Sequence, residues 1–143
     1  MTEHTVRSFS QDLEELSGEL ARMGGLVEDM LSDAIQAIAT RDLVLAETVV
    51  ARDPQIDNIE IEVEKKILRL LALRQPLARD LRQVIAALKI SSELERIGDL
   101  AKSIAKRVKL VDKVEATSAL KGVARMGRLV TAQLKRVLDA YTA

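Results

Sequence analysis

Two pairs of carboxylates carry the chemistry open to this sequence. Asp53 and Asp57 stand four apart in Arg52-Asp53-Pro54-Gln55-Ile56-Asp57-Asn58-Ile59-Glu60, and Glu95 and Asp99 stand four apart in Leu94-Glu95-Arg96-Ile97-Gly98-Asp99. On a helix the members of each pair share a face, one turn apart. Gln75-Pro76 marks a turn between the two stretches. A chain that folds back at Pro76 brings position 57 level with 95, and 53 level with 99, so the pairs face each other. Four carboxylates at one level repel unless a cation or protons stand among them. All-oxygen donors suit hard or borderline cations: magnesium, calcium, manganese, iron. A metal held between helices by Asp57, Glu95 and Asp99, with Asp53 and Glu60 as further ligands, is the first expectation. Structural roles compete with it. Asp53 before Pro54 has the pattern of an N-cap. Asp57 would then sit in a first helical turn, where a negative charge meets the helix dipole. Glu95 and Asp99 can instead pair with Arg96, Lys102 or an arginine of a neighbouring helix.

The elements that position these residues are all helical. Residues 1–7 are polar and are expected to fray, with Ser8 or Ser10 capping the first helix. Apolar positions then recur at Phe9, Leu13, Leu16, Leu20, Met23, Val27, Met30, Ala34 and Ala37, an alternation of fours and threes sustained to about Thr40-Arg41. Gly24-Gly25 interrupts it, and close packing is the expected reason. Asp42 is expected to cap a short segment, Leu43 to Ala51, and Asp53-Pro54 to start a separate helix carrying Ile56, Ile59, Val63, Ile67, Leu70 and Leu71 on one stripe. That helix should end near Leu73 or Arg74, before Pro76. The next, about Leu77 to Lys109, has two apolar stripes. One holds Leu77, Leu81, Val84 and Leu88 and turns polar at Ser92, Glu95 and Asp99. The other holds Ile90, Leu94, Ile97, Ala101, Ile104 and Val108. A helix apolar on two sides needs two partners. Residues 111–118 read as a linker, and a last helix from about Ala119 points Leu120, Val123, Met126, Val130, Leu134 and Val137 inward.

Composition narrows the function classes. The 143 residues are 48% apolar, 31% charged and 1% aromatic, with Lys+Arg and Asp+Glu equal at 22. Neither a basic surface nor stacking aromatics are present for nucleic acid. The absence of cysteine excludes disulfides and thiolate metal sites. With no signal-like N-terminus and no long apolar run, the chain is expected to be soluble and cytoplasmic. Its one histidine, His4, lies in the polar N-terminus and is a poor ligand. Carboxylate-bundle enzymes commonly use Glu-x-x-His motifs, so no enzyme activity is expected. Arg79, Arg82 and Arg96 could suggest phosphate binding. A solvated face, or ion pairs with Glu62, Glu64 and Glu93, is the favoured reading. Asp80 is assigned to fixing the hairpin.

The last helix resembles the first. Ala21-Arg22-Met23-Gly24-Gly25-Leu26-Val27 aligns with Ala124-Arg125-Met126-Gly127-Arg128-Leu129-Val130, an offset of 103. Apolar helices often match by chance, but this agreement in one register exceeds heptad bias. The second copy stops at Ala143, the counterpart of Thr40. The chain therefore reads as one full repeat plus the opening helix of another, either a short form or a truncated product.

These stretches together resemble the PhoU family of phosphate-signalling proteins. The resemblance rests on Arg52-Asp53-x-x-Ile56-Asp57-x-x-Glu60, on Leu71-Ala72-Leu73-Arg74-Gln75-Pro76-Leu77-Ala78-Arg79-Asp80-Leu81-Arg82, and on Ile85 to Ala105 with its Glu95-Arg96-Ile97-Gly98-Asp99 core. It is densest over 42–108. The resemblance implies an all-α fold, an antiparallel three-helix bundle of long helices over 1–110 with a further C-terminal helix over 119–143. It also implies carboxylate sites for iron, zinc, manganese or magnesium. It further implies a negative regulator of phosphate uptake and of the starvation response, an adaptor between the ATPase subunit of a phosphate ABC transporter and a membrane sensor histidine kinase. Membrane contact would come only through those partners. A carboxylate-bridged enzyme and a purely structural interaction module are the alternatives. The two-sided helix and the orphan last helix are expected to drive self-association, as a homodimer or another homo-oligomer.

Overall fold

The computed structural model describes residues 2–111 and 117–143, and among them the secondary structure is helix: α1 (Thr2–Thr40), α2 (Leu43–Arg74), α3 (Ala78–Val111) and α4 (Thr117–Thr142). The first three run up, down and up, each packed on the other two, and the backbone of α4 approaches α1 alone. Of the expected linker, 112–116 lies outside the described residues. Among the described residues, no helix is long and apolar enough to cross a membrane.

The α1 stripe forms the centre of the core. Leu16, Leu20, Met23, Val27, Met30, Ala34 and Ala37 are all buried, with Phe9 and Leu13 packed at the end. Burying side chains of the Met and Val size contributes about 1.5–3 kcal/mol each. From α2 come Ile56, Ile59, Val63, Ile67 and Leu70, and from α3 Val84, Ala87, Leu94, Ala101, Ala105 and Val108. Asp42 caps α2 as expected, its Oδ1 accepting from the Leu45 N–H at 3.0 Å. Gln75, at φ 44°, closes α2 in the left-handed region. Ion pairs staple the layers: Arg52 to Asp33 at 2.6 Å, Lys66 to Glu19 at 3.3 Å and Arg74 to Asp12 at 3.5 Å.

Four local expectations are corrected. The first helix begins at Thr2, so neither Ser8 nor Ser10 caps it; the Ser8 hydroxyl instead accepts from Arg74 of α2, which ties the first turns of α1 to the end of α2. The segments 43–51 and 54–74 are one continuous helix with Pro54 inside it, and Asp53 is an interior residue rather than an N-cap. Packing on both sides of the proline, by Val49 and Ile56, overrides the local start signal. At the hairpin tip, Leu77 lies just before α3, and both it and Leu81 of α3 are exposed. On α4, Met126, Val130 and Val137 face outward. The line against α1 runs instead through Leu120, Val123, Gly127, Leu134 and Leu138.

The α1–α4 contact explains two of the glycines. A Cβ on Gly24 would lie 2.6 Å from Leu138 Cδ2, and a Cβ on Gly127 would lie 2.7 Å from Ile35 Cδ1 and 2.8 Å from Ile35 Cγ1. Gly24 and Gly127 differ by the repeat offset, and so do Ile35 and Leu138. Each glycine thus receives the counterpart of the residue its own copy supplies, the reciprocal pattern of a two-fold contact. The offset read from sequence is therefore expressed in packing. Three alanine substitutions should separate accordingly. Gly25 has open space, so Gly25→Ala should stabilise by about 1 kcal/mol through helix propensity. Gly24→Ala meets only the flexible end of Leu138 and should be near neutral. Gly127→Ala meets a β-branched isoleucine that is stiff at χ1, and should destabilise by about 1–2 kcal/mol net. Urea midpoints of the three variants check the order. Equal stability of Gly127→Ala and Gly25→Ala would refute the close approach.

Candidate metal centre

The carboxylates meet between α2 and α3, midway along the bundle. Buried Ile56 and Ile59 fix the rotation of α2, and buried Leu94 and Gly98 fix that of α3. Gly98 lies against Ile56 across this seam, where a Cβ would make an ordinary contact at 3.6 Å with Ile56 Cγ2. This geometry places one carboxylate oxygen from each of Asp53, Asp57 and Asp99 within 4.8 Å of one another, and does the same for Asp57, Glu60 and Glu95. The two groups share Asp57. The fold-back at Pro76 thus pairs 53 with 99 and 57 with 95 as the spacing requires. All five residues singled out from the sequence belong to one cluster.

Their environments differ. Asp53 is buried, Asp57, Glu60 and Glu95 are half-buried, and Asp99 is exposed. Burial, then the charges of Asp53 and Asp99, raises the Asp57 carboxyl above its ordinary value of 3.8, against a hydrogen bond with Glu95 and the charge of Lys102. Glu60 is raised by burial and by Glu64, Asp57 and Asp99. Glu95 is pushed up to about 7, by burial first, then by a hydrogen bond with Asp99 and the charges of Asp99, Glu60 and Asp57. These are the marks of anions crowded beyond what the protein neutralises.

One side chain not assigned to Asp53 from the sequence enters the cluster. Lys102, named above only as an alternative partner of Glu95 or Asp99, donates to Asp53 Oδ2 at 3.0 Å. Its spacing one turn beyond Asp99 places it on the same face, which was the available signal. The other Asp53 oxygen, Oδ1, is buried with no hydrogen-bond partner. A buried carboxylate with one oxygen lacking a donor, on a residue grouped with two further carboxylates, fits a cation with oxygen ligands. Arg79, Arg82 and Arg96 are exposed and make no ion pair with Glu62, Glu64 or Glu93 among the described residues, so they form a solvated face.

Comparison with known proteins bears on the same residues. The PhoU domain profile matches residues 20–108, which includes the whole cluster. A phosphate-specific transport system accessory protein PhoU homolog from Caulobacter vibrioides is 52% identical over 143 residues, 99% of this chain and 62% of the relative. One from Zymomonas mobilis is 43% identical over 140 residues, 98% of this chain and 59% of the relative. Among solved structures, the crystal structure of PhoU from Pseudomonas aeruginosa superposes with a TM-score of 0.90 at 37% identity, covering 94% of this chain and 65% of that one. The chain therefore spans about three fifths of the length of the curated relatives it matches.

Proposed function

Because the chain belongs to the PhoU family, we propose that it is a non-enzymatic regulator of phosphate uptake and of the phosphate-starvation response, and that it binds metal at the Asp53–Asp99 cluster. The observation that carries the metal reading is the convergence of Asp53, Asp57 and Asp99, with Asp53 buried and its Oδ1 left without a donor. Asp57 is the shared ligand, with Asp53 and Asp99 on one side of it and Glu60 and Glu95 on the other. Iron, manganese, magnesium and zinc are the candidates, with the harder ions favoured by the all-oxygen set. The cation would supply fixed positive charge, locking α2 to α3 and holding their outer surfaces in one relative position. On this reading those surfaces meet a cytoplasmic ATPase subunit of a phosphate transporter and a membrane sensor kinase, and copies of the chain associate through exposed apolar faces such as that of α4. That the relatives are phosphate-specific transport system accessory proteins supports the first of these partners.

Elemental analysis of protein exposed to iron, manganese and zinc tests the metal, with Glu95→Ala/Asp99→Ala as the comparison. Metal retained by the native chain should be lost in the double variant. For the regulatory role, the chain is expressed in bacteria lacking their own PhoU-type protein. Repression of a starvation-induced reporter in high phosphate is expected to return. Failure to repress, with the protein present and folded, would count against the regulatory reading whatever the metal result.

A further inference from the structure

The ammonium of Lys102 occupies one half of the carboxylate cluster and leaves the other half open. It sits 3.0 Å from Asp53 Oδ2, whereas the Asp57, Glu60 and Glu95 group contains no lysine or arginine contact among the described residues. Its side chain is 31% exposed while that of Asp53 is 4% exposed, so the lysine can swing out to water and the aspartate cannot follow. A cation bound through the free Asp53 Oδ1 would stand across one carboxylate from this ammonium, and the two positive charges would repel. From this we infer that Lys102 is a tethered counter-cation that makes the two halves unequal. The Asp57/Glu60/Glu95 half fills first, and the Asp53/Asp57/Asp99 half fills only when Lys102 is displaced from Asp53.

This inference rests on the metal reading above and adds an order of filling and the residue that sets it. In the absence of metal, the lysine stabilises a buried carboxylate that would otherwise lack any countercharge. When the second cation arrives, the same lysine is released to solvent. Occupancy of the second half is thereby coupled to the position of a charged side chain at the rim of the α2–α3 seam.

Manganese titration followed by calorimetry and electron paramagnetic resonance tests it. The wild-type chain should take one Mn²⁺ tightly and a second weakly. In Lys102→Gln the second step should tighten by about tenfold or more, with the appearance of spin coupling between two close ions. Lys102→Arg keeps the charge and should retain the weak second step. Should Lys102→Gln fold poorly, Asp53→Asn keeps the test decisive: it should bind one ion as tightly as wild type and never a second. Two equally tight ions in the wild type, or a second step that Lys102→Gln leaves unchanged, would overturn the role of Lys102 while the metal site stood. No Mn²⁺ bound by any variant would overturn both.

Discussion

Pro54→Ala is expected to stabilise the metal-free protein by about 2 kcal/mol, and to weaken its hold on a cation. Pro54 lies inside α2, where it removes the hydrogen bond that residue 54 would donate to the Val50 carbonyl and crowds that carbonyl with its ring. The cost in a helix interior is about 3 kcal/mol relative to alanine. Part of it is offset because proline also restricts the unfolded chain, by about 0.4–1 kcal/mol. For a chain of this size the gain corresponds to a rise of roughly 6–8 °C in the thermal midpoint. The position of the proline suggests why it is there. It follows Asp53 directly and precedes Asp57 by three residues, so any local change in helix geometry acts on the spacing of two cluster members. A local rule broken at a site, at a cost in stability, is the pattern expected where geometry serves binding. Cation affinity of Pro54→Ala should therefore fall several-fold, as read by the same manganese titration. A stabilised variant with unchanged affinity would show that the proline has no bearing on the site. A destabilised one would show that the interior helix depends on it.

The metal-free protein should also become more stable, not less, as the pH is lowered from 8 to about 5. Glu95 carries the effect, since its carboxyl in the folded state is pushed up to about 7 from an ordinary value of 4.5. Between those values the folded protein binds a proton that the unfolded chain does not. Stability therefore falls as pH rises through about 7 and is fully recovered near 4.5. The raised carboxyls of Asp57 and Glu60 act in the same direction. Glu95 is half-exposed, so solvent screening reduces the gain to of order 1–2 kcal/mol. Glu95→Gln should flatten the slope and raise stability at pH 8. A bound divalent cation should reverse the slope, because it takes the place of the protons. Denaturation midpoints at pH 5, 6.5 and 8, with and without Mn²⁺, read all three. A metal-free midpoint that climbs from pH 5 to 8 would contradict the crowding.

Much of this site was legible in the sequence because it depends on two periodicities and one turn. Spacings of four set each carboxylate pair on a face, and Pro76 fixed the register that brings 53 to 99 and 57 to 95. The α1 core line was equally open, being a single stripe on one helix. What could not be read was the outcome of competition between local and tertiary preferences. Asp53-Pro54 has a strong local start signal, yet the neighbouring apolar residues bury α2 as one piece. On α4, two apolar lines run side by side, at Met126/Val130/Val137 and at Leu120/Val123/Leu138. Only the close approach at Gly24 and Gly127 selects the second. The partner of Lys102 was ambiguous for a similar reason. Sequence places the lysine on the cluster's face, but which carboxylate is buried deeply enough to hold it depends on helix packing.

With backbone contact to α1 alone, α4 is expected to behave as a separate unit of cooperativity. Its backbone approaches no helix but α1, while α1, α2 and α3 each have two or more neighbours. In native-state hydrogen exchange its amides should therefore open together, at a free energy below that of global unfolding. The carboxylate cluster lies wholly within the other three helices. Protection of α2 and α3 should rise when a cation binds, while that of α4 stays where it was.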